Sequence, residues 1–189
     1  MNRLLRQLLN TPGFLLIALV LTAIQSAVFI SFPLNWLQPE LLLCMVLWAG
    51  LKRSFTRGGI LTLLVGHIAE LHSTAPQGLF LCSMMAIFLG VRLASRVLVL
   101  PDFHAWTRLT LIASMAAKLV DLIVMAVLGK ADSQWRHSLL HLFPDAVLTA
   151  LAGIWIYRLL YWLDRITFQD LKTEKRLSDD WQLVENEGF

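Results

Sequence analysis

The sequence predicts an all-α integral membrane protein with six transmembrane helices, and three observations carry that prediction. Of the 189 residues, 57% are hydrophobic and 15% charged, against about 25% charged in an ordinary soluble domain; mean hydropathy is +0.66. Six apolar runs can be drawn along the chain. Between them, basic residues alternate from rich to poor, as the positive-inside rule requires of successive loops. The length allows one domain, and the composition excludes a disordered chain, a disulfide scaffold and a collagen-like repeat.

The first span, residues 13–32, is clean: about twenty residues at 1.5 Å rise cross a hydrocarbon core of roughly 30 Å. Its apolar run is too long for the h-region of a cleaved signal peptide, so it reads as a retained anchor. Ahead of it, Leu4, Leu5, Leu8 and Leu9 with Arg3 and Arg6 suggest a short amphipathic turn on the inner surface. The second span, 36–51, and the third, 55–71, are short, which calls for snorkelling Lys and Arg or local thinning. The fourth, 78–100, and the fifth, 106–128, are full length. The sixth, 146–163, opens at Pro144-Asp145, with a carboxylate at the favourable end of the helix dipole. Residues 164–189 form a polar cytoplasmic tail with seven acidic and four basic residues, its first half able to continue the sixth helix.

With the N-terminus inside, the inner segments hold Arg3, Arg6, Lys52, Arg53, Arg57, Arg92, Arg96, Arg108, Arg158, Arg165, Lys172, Lys175 and Arg176. That is thirteen of the sixteen Lys and Arg. The outer loops hold only Lys130 and Arg136, and Lys118 lies within a span. Both termini are therefore expected in the cytoplasm. The net charge of +3 is spread over span ends, with no stripe that tracks phosphates, so nucleic acid is not a partner. Cys44 and Cys82 both fall in apolar runs and read as small buried hydrophobes.

Polar groups inside spans need partners. Lys118 and Asp121, three apart in the fifth span, share one helical face and can pair. Two readings stand: an internal ion pair that lowers insertion cost, or a contact to a partner helix or proton route. His67, Glu70 and His72 cluster at the outer end of the third span, but without the three or four ligands at set spacing that zinc needs. His137 and His141, with Trp135, Leu139, Leu140 and Phe143, read as an amphipathic helix on the outer surface. No nucleophile elbow, phosphate-binding loop or Cys-x-x-Cys is present. Ser26, Ser83, Ser95 and Ser114 read as serines that bond backbone or ease packing. No enzyme activity, catalytic residue, cofactor or metal is expected.

Gln38-Pro39-Glu40 opens the second span, with proline at the first helical position and Glu40 on the positive dipole end. Gly58-Gly59, Gly66 and Gly78 allow close helix approach or a tight exit. Arg92 and Arg96 read as snorkelling anchors at the inner end of the fourth span.

In this order the residues resemble the rod shape-determining protein MreD family. The likeness rests on Gln25, Gln38-Pro39-Glu40-Leu41-Leu42-Leu43, Gly58-Gly59-Ile60, Gly66-His67-Ile68-Ala69-Glu70 and Gln77-Gly78-Leu79. It covers residues 14–100; beyond them only span number and length agree. Glu40 and Glu70 stand where Asp is more usual, His67 where Leu is, and the outer loop lacks its common Gly.

The resemblance implies a scaffold in the bacterial plasma membrane that binds by helix packing and makes no bonds. Its implied partners are MreC, the MreB filament, RodA and a class B penicillin-binding protein, with the lipid bilayer around it. Pro39, Glu40, Gly66, Glu70, Gly78, Lys118 and Asp121 are the positions singled out for partner contact. The family's six-helix architecture also resembles the substrate-binding subunits of energy-coupling transporters. That supplies the alternative function, a small-molecule binding subunit for uptake.

Overall fold

The computed structural model describes the backbone of residues 3–29, 39–73, 76–95, 103–127 and 135–186, with side chains for 10–28, 39–73, 76–95, 105–127 and 142–167. Among these residues there are six helices and no strand: α1 (Arg3–Phe29), α2 (Leu41–Lys52), α3 (Phe55–Leu71), α4 (Leu79–Ala94), α5 (Phe103–Val127) and α6 (Trp135–Asn186). Three stretches are long and apolar enough to cross a membrane: Asn10–Val28, Ala105–Val127 and Leu142–Thr167. The helices α2 and α4 are apolar but shorter.

The outward faces agree with a lipid surrounding. Leu16, Leu19, Val20 and Ile24 of α1 stand exposed, as do Ile112, Leu119, Ile123 and Val127 of α5. In water such contiguous apolar faces are a liability; against acyl chains they cost nothing.

At the centre lies α2. Every residue from Leu41 to Gly50 is buried, and α2 packs against all five other helices. Its twelve residues span about 18 Å, less than a bilayer core, so the other helices and not lipid enclose it. The short second span expected from the sequence is thus an internal helix here, enclosed by its neighbours. A helix hydrophobic on every side has that fate.

Side-chain contacts give the helix directions. Glu40 at the start of α2 meets Lys118 late in α5 and Thr149 early in α6. Trp48 near the end of α2 meets Trp106 early in α5 and Tyr157, which lies farther along α6 than Thr149. Asn10 of α1 reaches Asp164 of α6, and Gly66 and Gly58 of α3 face Leu81 and Phe88 of α4 respectively. The six helices therefore alternate in direction. A Cβ on Gly58 would come 2.8 Å from the Phe88 ring and 2.9 Å from the Ala49 carbonyl oxygen, so only glycine lets α3 approach α2 and α4 there.

Several boundaries differ from the sequence expectation. The N-terminal amphipathic turn is the first part of α1, which runs through Pro12. The sixth helix does not open at Pro144-Asp145: α6 begins at Trp135 and passes through Pro144, so residues 135–143 and the apolar stretch after them form one helix. As the sequence allows, the helix continues past Asp164, and it does so beyond the first half of the tail, to Asn186. Of the two cysteines Cys44 is buried, whereas Cys82 is exposed on the outward face of α4. Residues 30–38, 96–102 and 128–134, with the segment ends that fall on them, lie outside the described residues.

Candidate functional site

The start of α2 builds the most charged part of the interior. Pro39 is buried but precedes the helix, and Glu40 is the N-cap, with φ −84° and ψ 75°. The first helical residue is Leu41, which corrects the placement of Pro39 at that position. Glu40 makes no capping bond with its side chain. Instead its carboxylate pairs with the Lys118 ammonium of α5 at 3.0 Å. Asp145 of α6 approaches the same ammonium at 3.6 Å. Beside them the Glu40 backbone N–H donates to the Thr149 hydroxyl at 3.0 Å, and that hydroxyl donates to the Asp145 carbonyl at 2.7 Å. Three helices thus meet at one lysine. Low-dielectric surroundings make each such bond strong and each missing partner expensive.

Asp121 takes a different partner. It shares the Lys118 face of α5, as the three-residue spacing requires, but its carboxylate accepts from the Ser83 hydroxyl of α4. The expected Lys118–Asp121 ion pair is corrected: the lysine reaches inward to α2 and α6, and the aspartate turns to α4.

Around the turn from α3 to α4 the side chains serve the backbone. The Glu70 carboxylate accepts from the Gly78 N–H, and Gly78 holds φ +88° as the N-cap of α4. A left-handed residue at a cap is the position glycine fills without strain. Gly66 packs on Leu81, where an added Cβ would lie 3.3 Å from that residue's Cα. His67 and His72 are exposed, and the His72 Nδ1 lies 3.0 Å from the Ile68 carbonyl. Among the described residues no three His, Cys, Asp or Glu are grouped to hold a metal ion. His137 and His141 have side chains outside the described residues.

Compared with models of known protein families, with curated proteins and with solved structures, the chain matches none.

The other end of α2 carries a second polar knot, absent from the sequence reading. Asp164 of α6 accepts from Arg53 at 2.5 Å, from the Trp48 indole at 3.0 Å and from Asn10 at 3.3 Å. Arg92, expected to snorkel, donates to the Gly50 and Arg53 carbonyls at 3.0 and 2.9 Å. It thereby satisfies carbonyls that the end of α2 leaves open. Trp48, Trp106 and Tyr157 fill the space above, with ring centroids 5.2–5.9 Å apart in edge-on or tilted pairs. The Trp106 indole donates to the Gly153 carbonyl at 3.0 Å.

The two knots differ in how visible they are in sequence. Asp145 carries a signal, a charge inside an apolar run, but one that a helix-end residue beside Pro144 explains equally well. Thr149 and Ser83 carry none: hydroxyls in apolar helices are common and usually bond the preceding turn. Asp164 follows a long apolar run and reads naturally as the first residue of a polar tail.

Proposed function

We propose that this chain is a six-span scaffold of the bacterial plasma membrane, with both termini cytoplasmic, working in the rod-shape complex as MreD-like proteins do. In this reading it binds MreC on the outer side and links the cytoplasmic MreB filament to RodA and a class B penicillin-binding protein. The observation that carries the reading is the spacing of the two polar knots on helices of alternating direction. Asp145 and Asp164 are about 28 Å apart along α6 and the buried α2 between the knots spans about 18 Å, so both knots fit within a hydrocarbon core of roughly 30 Å. The knot at Arg53 then lies at the basic, cytoplasmic end, and the knot at Lys118 towards the outside.

Binding and not bond-making fits the use of the interior charges, which tie one helix or turn to another. Glu40, Glu70, Lys118 and Asp121 spend their side chains inside the bundle, so their part in partner contact is to hold the outer helix ends in register. Exposed His67, Leu71 and His72 remain to touch a partner.

Reporter fusions at residue 3 and Phe189 should read inside and one at Ser133 outside. In cells whose own copy is deleted, the chain should restore rod shape and co-purify a single-span periplasmic protein. A stoichiometric small molecule in place of that protein would favour the uptake-subunit reading. An external C-terminus would end the six-span reading.

A further inference from the structure

The inner half of α6 exposes one face on which aromatic and basic residues alternate: Trp155, Arg158, Trp162 and Arg165. The intervals of three, four and three keep all four on one side of the helix. Trp155 is 72% exposed and Trp162 59%, and both arginines are exposed. Neither arginine has an acidic partner among the described residues, because the nearby Asp164 is taken by Arg53. The Arg158 guanidinium stands 6.0 Å over the Trp155 ring, one turn toward the helix N-terminus, the direction in which helical side chains lean.

That direction matters. Arg158 lies about 9 Å up α6 from Asp164, within the apolar stretch 142–167, and its lean carries the cation farther from the inner end. A cation on the lipid-facing side of such a helix is stabilised by an anion that comes to it. Trp162 stands between the two arginines, and above it Trp155, Leu159 and Leu151 continue the exposed face.

We propose that this face of α6 is a seat for one anionic phospholipid of the inner leaflet. The phosphate diester lies beside Trp162 between Arg158 and Arg165, with its acyl chains along Leu159, Trp155 and Leu151. A guanidinium matches a phosphate with two parallel hydrogen bonds, and indole rings favour the headgroup level. Two cations on one phosphate select a headgroup without its own positive charge, such as phosphoglycerol over phosphocholine. The inference rests on α6 crossing the bilayer with its C-terminal end cytoplasmic, and on no other part of the proposed function.

The test titrates the full chain in detergent with short-chain phosphatidylglycerol or phosphatidylcholine and counts bound lipid by native mass spectrometry. The native chain should prefer phosphatidylglycerol about thirtyfold, the attraction expected of two cations near an anionic surface. The pair Arg158→Gln and Arg165→Gln should bring the two lipids to near parity. Arg57→Gln, which removes another exposed cation at the inner end, should leave the preference intact. Equal binding by the native chain, a preference kept by the double variant, or equal occupancy by free glycerol phosphate would each overturn the proposal. Ser133→Cys and Phe189→Cys, labelled from either side of sealed vesicles, report separately on crossing. Opposite sides with no lipid preference defeats the lipid seat alone; the same side for both defeats the crossing and the seat with it.

Discussion

The Lys118 ammonium lies 3.0 Å from the Glu40 carboxylate, which fastens the late part of α5 to the first turn of α2. Asp145 adds a second carboxylate to the same ammonium from α6.

Removing the lysine should therefore cost more than removing its neighbour in sequence. Lys118→Leu leaves two carboxylates facing each other and should lower stability by about 3–5 kcal/mol, the range for breaking a buried ion pair. The double variant Lys118→Leu, Glu40→Leu should recover part of that loss. Asp121→Asn, which can still accept from Ser83, should cost less than Lys118→Leu. Thermal unfolding in detergent ranks the four proteins; a double variant less stable than Lys118→Leu would refute the pairing.

At the other end, Asp164→Ala removes the carboxylate that receives both the Arg53 guanidinium and the Trp48 indole. The expected loss is again about 3–5 kcal/mol. Asp164→Asn keeps an acceptor for the indole and should lose less. Equal stability of the two variants would mean that charge, and not the hydrogen bond to Trp48, is what Asp164 supplies.

Gly58→Ala places a methyl group against the Phe88 ring and the Ala49 carbonyl. The ring can shift but the backbone oxygen cannot without moving α2, so a loss of about 1–3 kcal/mol is expected. Pairing it with Phe88→Leu should relieve only the ring contact. Full rescue by that second change would show that the carbonyl is no obstacle.

Glu70→Ala removes the acceptor of the Gly78 N–H, and Gly78→Ala strains the left-handed cap by about 1–2 kcal/mol. Both should speed proteolysis between α3 and α4, with little effect on cleavage elsewhere. A partner lost from Glu70→Ala but kept by Gly78→Ala would assign Glu70 a direct contact. Loss from both would assign the turn's shape.

The order of the helices and the interior of the bundle are legible in the sequence to different degrees. Apolar run length and the spacing of arginines place α3 and α5 to within a few residues, because burial and lipid exposure act on every residue of a run, whereas α1 and α6 begin well before their apolar runs. Partner choice is not local. Spacing puts Lys118 and Asp121 on one face, but packing decides that Lys118 faces α2 and α6 while Asp121 meets Ser83. Pro144 misleads for a related reason. Proline favours a helix start, yet α6 continues through it from Trp135, and nothing in the local residues announces the continuation. Glu70 is visible as an acid near a span end, but its bond to Gly78 depends on the turn geometry.

The central helix is completed by the last one. Thr149, Asp145 and Asp164, all on α6, satisfy the Glu40 amide, join it at Lys118, and receive Arg53 and the Trp48 indole. On the ribosome, α2 emerges long before any of them, so a nascent chain that has released only five helices holds an open interior with its polar groups unanswered. The bundle closes when α6 arrives. Truncation before that helix yields a species for membrane quality control to remove, and not a smaller version of the protein.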